Sequence, residues 1–298
     1  MLELSNFPST TEAPELRLGF GGDTLNTAIY AARLGVPTSY ITNLGDDNRS
    51  AWMLGEWRKE GINTDHVACL KSRQPGLYWI ATDENGERTF AYWRSEAPAR
   101  NLFDDAARVV AIRKALANFG VVYLSGITLS LFEGRALERF TSLLESLRSQ
   151  GITVVFDGNY RPAGWSSKAA AQLAFEQTCR IAQIALPTFD DEVQLFADQT
   201  PEETCERLLS WGIEEVVVKL GPGGCLIASN AGLQLVETTP VTMPVDTTAA
   251  GDAFNAGYLA ARYKGKPPVE AAKDAHRLAT VVIKHRGAII PRDSMPPL

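Results

Sequence analysis

The chain has 298 residues, 45% of them hydrophobic and 21% charged, with a formal net charge of −6. That length suits one large α/β domain with an appendage, and the acidic balance without a Lys/Arg block argues against a nucleic-acid binder. No apolar run approaches the roughly 18 residues of a membrane span, and "MLELSNFPSTTEAPE" lacks the basic-then-apolar order of a signal peptide. Cys69, Cys179, Cys205 and Cys225 form no metal spacing and read as reduced thiols of a cytoplasmic protein. His66, His276 and His285 are scattered, which disfavours a histidine-centred zinc or triad site.

In chain order, "LRLGF" (16–20) reads as a short strand. Next comes "GFGGDTLNTAIYAARLG" (19–35), a Gly-Gly pair running into a helix over 24–34 with an asparagine one turn in. The glycines free the backbone to approach a ligand. The segment matches neither a P-loop nor the G-x-G-x-x-G of a dinucleotide fold, so a nicotinamide oxidoreductase is disfavoured. After a helix at 50–61, "PGLYWIATDENGERTFAYWR" (75–94) alternates Leu77, Trp79 and Ala81 with Tyr78, Ile80 and Thr82 around an Asn-Gly turn. This predicts a β-hairpin, set apart from the main sheet by flanking helices and forming a small accessory sheet with 16–20. Aromatics on both of its faces suggest that one covers a ligand and the other meets a partner subunit.

From a helix at 104–117 onward, strands and helices alternate. "VVYLSGI" (121–127), "ITVVFDGN" (152–159), "IAQIALP" (181–187) and "EEVVVKLG" (214–221) are apolar runs, with helical segments at 133–150, 167–180 and 189–197. A spacing of about 30 residues predicts βαβ units and a parallel sheet covered on both faces. "GCLIAS" (224–229) and "GLQLVETT" (232–239) read as antiparallel edge strands.

The last chemical signal is "VDTTAAGDAFNAGYLAARYKG" (245–265). Small residues at 253, 256, 257 and 260 form a helical stripe that predicts close packing of this helix on the sheet. The N–H groups of Ala250, Gly251 and Asp252 open the helix without intrahelical acceptors, so they attract an anion. Asp252 beside such a site suits phosphoryl transfer, with the N–H groups holding the phosphoryl charge and the carboxylate taking a hydroxyl proton. Alone, Asp252 is better explained as an ordinary helix-stabilising acid worth roughly 0.3–1 kcal/mol.

It does not stand alone. "GGDTLNTAIYAARLG" and "DTTAAGDAFNAGYLA" resemble the two signature regions of the ribokinase-like, or PfkB, carbohydrate kinases. "AYWR", "DGNYRPAGW", "EVVVKLG" and "HRGAIIPRDSMP" extend the similarity along nearly the whole chain to the 2-keto-3-deoxygluconate kinase branch of that family. The resemblance implies a single α/β domain over 1–298, a ribokinase-like central mostly parallel sheet flanked by helices, with a small β-lid from about 16–20 and 75–94. It implies a cytoplasmic, ATP- and Mg2+-dependent kinase acting on O6 of 2-keto-3-deoxygluconate, homo-oligomeric through the lid. Alternatives are a fructokinase or other ketose kinase of the same fold, and a member that binds sugar or nucleotide without catalysis.

Carried over by motif, Asp252 is the base, and Ala249, Ala250 and Gly251 form the anion hole. Gly22, Asp23, Asn26, Tyr78, Tyr92, Arg94 and Arg161 face the sugar; Asn159, Lys219, Gly221, Gly223 and Gly224 border the nucleotide. A sugar acid carries a carboxylate that Arg94 or Arg161 can hold by charge-assisted bonds. The chain departs from the family pattern in three places. A hydrophobic strand ending in Gly-Glu usually precedes the position of Met1; a misassigned start, a truncated chain or a sheet lacking a strand would each account for its absence. Ala249 stands where many members have glycine. "PTFDDE" (187–192) replaces the Asn-x-x-Glu of the magnesium region, leaving open whether Asp191 or Glu192 serves there.

Overall fold

The computed structural model describes residues 1–7, 15–82 and 88–298. The Asn-Gly turn expected at 85–86 lies outside these residues. Strands β1 (Leu2–Phe7) and β2 (Glu15–Phe20) lead into helix α1 (Asp23–Arg33). Two short parallel pairs follow around α2 (Asn48–Lys59): β3 (Thr38–Ser39) with β5 (Ile62–Asn63), and β4 (Asn43–Gly45) with β6 (Ala68–Leu70). Then come β7 (Leu77–Thr82), β8 (Arg88–Trp93) and α3 (Ala106–Leu116). The larger layer is built from β9 (Val121–Ser125), α4 (Gly126–Leu129), α5 (Gly134–Ser149), β10 (Thr153–Asp157), α6 (Lys168–Cys179), β11 (Ile184–Ala185), α7 (Phe189–Phe196) and α8 (Pro201–Ser210). It ends with β12 (Glu215–Lys219), β13 (Cys225–Ser229), β14 (Gly232–Val236), α9 (Ala250–Tyr263) and α10 (Pro268–Val282).

The expected sheet is present. Among the described residues it has six strands in the order β14-β13-β12-β11-β10-β9. β9 to β12 run parallel, and β13 and β14 are antiparallel at one edge. Val154, Val155, Val216, Val217 and Val218 are wholly buried, as befits strands covered on both faces. One face packs on the helices that carry Phe140, Leu143, Leu144 and Phe175, the other on α9 and α10 through Phe254, Tyr258 and Ala275. β9 has no neighbour on its outer side among the described residues. A cavity of about 620 Å3 runs along that open edge, bounded by residues of α1, α3, α5, α9 and β9 itself.

The second sheet has the order β2-β1-β7-β8, with β1 parallel to β7 and the other pairs antiparallel. The hairpin and the 16–20 strand were legible in the sequence; β1, which joins them, was not. Register places Gly19, Glu3, Tyr78 and Tyr92 in one row across the four strands. Tyr78 and Ile80 are buried beneath this lid, while Leu16, Leu18, Trp79 and Trp93 are exposed on the other face.

One packing expectation needs correction. The small stripe of α9 does not lie on the sheet. Ala253 and Ala256 meet Tyr30 and Ala31 of α1 and Leu278 of α10. A Cβ on Gly257 would stand 2.8 Å from the Ala275 Cα. The sheet receives the large residues, Phe254 and Tyr258. Helix–helix approach is limited by side-chain size, whereas the sheet face leaves room for aromatics.

Candidate active site

Ser125, Asp157 and Lys219 end the parallel strands β9, β10 and β12. The site therefore opens at the carboxyl ends of the sheet, where α/β folds bind ligands. The starts of α1 and α9 point into the same place.

At α9, Ala249 is the N-cap in the left-handed region, with φ 61° and ψ 15°, and no side chain caps the helix. Left-handed backbone costs an alanine roughly 1–2 kcal/mol, strain of a kind that collects at functional sites. No side chain caps the turn 249–251, whose own side chains are small; within it the Ala250 N–H donates to the Thr247 carbonyl at 3.2 Å. Asp252 follows at once. Asn26, buried on α1, donates from Nδ2 to Asp252 Oδ2 at 2.9 Å. Thr27 Oγ1 reaches the Asp252 carbonyl at 3.3 Å. Two segments 226 residues apart in sequence are thereby locked together.

Burial pushes the Asp252 carboxyl up to about 8, with the nearby Asp23 adding to the rise and the Asn26 hydrogen bond opposing it. A carboxyl poised near neutral pH is matched to accept a hydroxyl proton. Asn26 Oδ1 is buried without a hydrogen-bond partner among the described residues. An unsatisfied buried acceptor is costly, and a sugar hydroxyl would satisfy it.

Asp23 accepts from Ser125 Oγ and, at 3.2 Å, from Asn159 Nδ2. Its pKa is raised by burial, partly offset by the Ser125 bond. Asn159, assigned by motif to the nucleotide side, thus touches a residue assigned to the sugar side. Gly22 precedes this cluster as the N-cap of α1, with φ 148°. Tyr78 donates its hydroxyl to Glu3, and a methyl on Gly21 would come 2.3 Å from that hydroxyl. Tyr92 is half exposed, and the Arg94 guanidinium lies over its ring, 4.7 Å from the centroid. Arg94 also lines the cavity beside β9, together with Gly22 and Asp23.

Arg161 NH1 pairs with Asp191 at 2.9 Å, its side chain 53% exposed. Burial raises the Asp191 pKa, and Arg161 works against that rise. Glu192 turns the other way, into a buried pair with Arg207 at 2.7 Å. The structure therefore separates the two acids: Asp191 faces the site and Glu192 belongs to the core. No group of three or more His, Cys, Asp or Glu residues among those described is placed to hold a metal by itself.

The glycine loop after β12 is a tight turn, closed by Leu220 N–H to Gly224 O at 2.9 Å, with Gly221 and Gly223 bounding a 3-10 turn. Lys219 does not follow that loop outward. Its Nζ turns inward to Asp157 Oδ1 at 3.0 Å and Asn255 Oδ1 at 3.1 Å. Asn255 also donates to Asp157 Oδ2 at 2.9 Å and to the Tyr123 hydroxyl at 3.0 Å. Sequence reasoning assigned no role to Ser125, Asp157, Asn255, Tyr123 or Glu3. A polar residue closing an otherwise apolar parallel strand was the available signal for the first two. The others have none, because only the fold brings them together.

Residues 2–295 match the family described as pfkB family carbohydrate kinase. The chain is 44% identical to the 2-dehydro-3-deoxygluconokinase of Escherichia coli strain K12, over 99% of this chain and 96% of that protein. It is 42% identical to the enzyme of the same name from Dickeya dadantii, with the same two coverages of 99% and 96%. Among solved structures it superposes on a PfkB protein from Polaromonas sp. JS666 with a TM-score of 0.82 and 25% identity, over 94% of this chain and 91% of that one. A ribokinase II from E. coli, solved with ATP and Mg2+, shares the fold at a TM-score of 0.83 and 21% identity, over 99% and 92% of the two chains. By the family match over residues 2–295 and the 44% identity over nearly its whole length, this chain belongs to the pfkB family of carbohydrate kinases.

Proposed function

We propose that this kinase transfers the γ-phosphoryl group of ATP to O6 of 2-keto-3-deoxygluconate, giving 2-keto-3-deoxy-6-phosphogluconate and ADP. The observation that carries the mechanism is the Asn26–Asp252 bond at 2.9 Å, which aims a buried carboxylate across the uncapped start of α9. Asp252 takes the O6 proton as that oxygen attacks the γ-phosphorus. The bond from phosphorus to the β-γ bridging oxygen breaks, and ADP leaves with that oxygen. The N–H groups of Gly251 and Asp252 hold the charge of the phosphoryl group in flight. The sugar's choice rests on the names of the 40–44% identical relatives and on two arginines, Arg94 and Arg161, available to a carboxylate.

Mg2+ keeps several waters and takes one or two carboxylates plus substrate phosphates. Asp191 fits that donor set, and the ion would neutralise phosphate charge. Gly221, Gly223 and Gly224 would pass beside the nucleotide, with Gly22, Asp23, Tyr78 and Tyr92 enclosing the sugar on the Asn159 side. We place one kinase domain over the chain, with the four-stranded sheet as its lid. The exposed Leu16, Leu18, Trp79 and Trp93 would pack on a second copy. No helix among the described residues is long and apolar enough to cross a membrane, and the four cysteines are free, which supports a cytoplasmic enzyme. Coupled ADP release on keto-deoxygluconate, fructose and gluconate, side by side, tests the assignment. Turnover at least tenfold faster with keto-deoxygluconate is expected; a preference for fructose would replace the sugar acid by a neutral ketose.

A further inference from the structure

We propose that Lys219 is a positioning residue of the transfer step, supplying a fixed positive charge beneath the anion-binding turn of α9. The inference rests on the kinase reading above and goes beyond it, because the family motif placed Lys219 only beside the nucleotide.

Four elements hold this ammonium in place. Lys219 closes β12 and is 7% exposed. Asp157, from β10, takes its Nζ at 3.0 Å, and Asn255, from α9, takes it at 3.1 Å. Both Asp157 oxygens are occupied, since Oδ2 accepts from Asn255 at 2.9 Å and from the Tyr123 hydroxyl of β9 at 3.2 Å. The Nζ lies 3.6 Å from where a Cβ on Gly251 would stand. It therefore sits against the first turn of α9, on the face that carries Gly251 and Asn255.

A buried ion pair is a poor stabiliser. Apolar residues of the same volume often do as well or better, so stability alone gives little reason for this one. Its location does. A positive charge at the start of a helix adds to the field that draws in an anion. It also acts on Asp252, which stands one residue beyond Gly251. The charged groups facing Asp252 are Asp23 from α1, Asp157 from β10 and Lys219 from β12, and of these only Lys219 favours the carboxylate. Asn26 supports the same form by hydrogen bonding, while the phenols of Tyr30, Tyr78 and Tyr123 are held neutral by burial.

The test compares Lys219→Gln and Lys219→Met with the wild type. Gln keeps a donor and loses the charge, so it separates electrostatics from structural hydrogen bonding. Both variants are expected to lower kcat by about 10- to 1000-fold while the KM values for ATP and sugar change by less than about threefold. The acid limb of kcat/KM should move upward, because Asp252 loses its favourable partner. A titration of the Asp252 carboxyl by 13C NMR, assigned with Asp252→Asn, should show the same upward move without any sugar present. Should either variant fail to fold, Asp157→Asn/Lys219→Met removes the pair as a neutral unit, and a kcat at least tenfold down is expected of it. Wild-type kcat and acid limb in Lys219→Gln, a raised ATP KM with an unmoved limb, or wild-type kcat in the double variant would overturn the proposal. A wild-type protein that phosphorylates none of the sugars sinks the kinase reading instead, and the carboxyl titration still decides the role of Lys219.

Discussion

Asp252 is the residue to which the proposed mechanism gives the base role. Asp252→Asn keeps the shape and loses the basicity, so ATP binding should persist while kcat falls on the order of 10²- to 10⁴-fold. Retention of more than about a third of wild-type kcat would remove Asp252 from the base role. In the wild type, kcat/KM should climb with pH through about 8, the value to which burial pushes this carboxyl. Stability runs the opposite way. The folded pKa lies above the unfolded value of about 3.9, so between the two the native state keeps a proton that the unfolded chain has released. This group's contribution to stability therefore declines as pH rises from about 4 to about 8. Asp252→Asn escapes that decline. Its melting temperature should exceed the wild-type value by more at pH 8.5 than at pH 5, and an equal gap at both would contradict the burial argument. Arg161 carries the substrate prediction. If it holds the sugar carboxylate, Arg161→Ala raises KM for keto-deoxygluconate about 10- to 150-fold and affects a neutral ketose much less. Arg94→Ala is the comparison, because Arg94 lies over Tyr92 in the lid sheet. Equal losses with acid and neutral sugars in both variants would rule out carboxylate recognition.

Among the elements, α9 shows how closely function and packing share a helix. Its first turn carries Asp252, one face lies on the sheet through Phe254 and Tyr258, and a Cβ on Gly257 would meet the α10 backbone. Gly257→Ala puts a Cβ 2.8 Å from the Ala275 Cα. The clash should cost about 1–3 kcal/mol, against roughly 1 kcal/mol returned by better helix propensity. A Cβ on Gly55, inside α2, meets nothing within 4 Å, so Gly55→Ala should stabilise by about 0.5–1 kcal/mol. Chemical denaturation of the pair tests this: a Gly257→Ala protein as stable as Gly55→Ala would mean that α9 and α10 can move apart freely. The lid is the other informative element. Its four strands were half visible in the sequence. β7 and β8 alternate cleanly around turn residues, whereas β1 lies at the chain's start, with no turn signal before it to mark a strand.

At the scale of the whole molecule, the lid presents one face to the site and the other to solvent. Leu16, Leu18, Trp79 and Trp93 are 46%, 46%, 37% and 56% exposed, a contiguous apolar face of the kind that marks an interaction site. Light scattering at micromolar concentration should give a dimer, and Trp79→Glu should shift it toward monomer. A wild-type protein that is cleanly monomeric would leave that face without its second copy.

The sequence by itself determined the layered α/β architecture, because apolar strand runs alternating with helices leave few other ways to bury both faces of a parallel sheet. It also located the start of α9, with Asp252 in its first turn, since a helix start behind small residues is a local feature. The tertiary structure alone decided what surrounds that turn. Asn26 and Asp252 are 226 positions apart, and Lys219, Asp157, Asn255 and Tyr123 come from four different elements. Nothing local in "VVYLS" or "VVVKLG" distinguishes a strand-end polar residue that meets solvent from one that meets a buried partner. The different surroundings of Asp191 and Glu192 were decided in the same way. Adjacent residues on a helix point about 100° apart, so only the helix's orientation sends Asp191 to Arg161 at the site and Glu192 to Arg207 in the core.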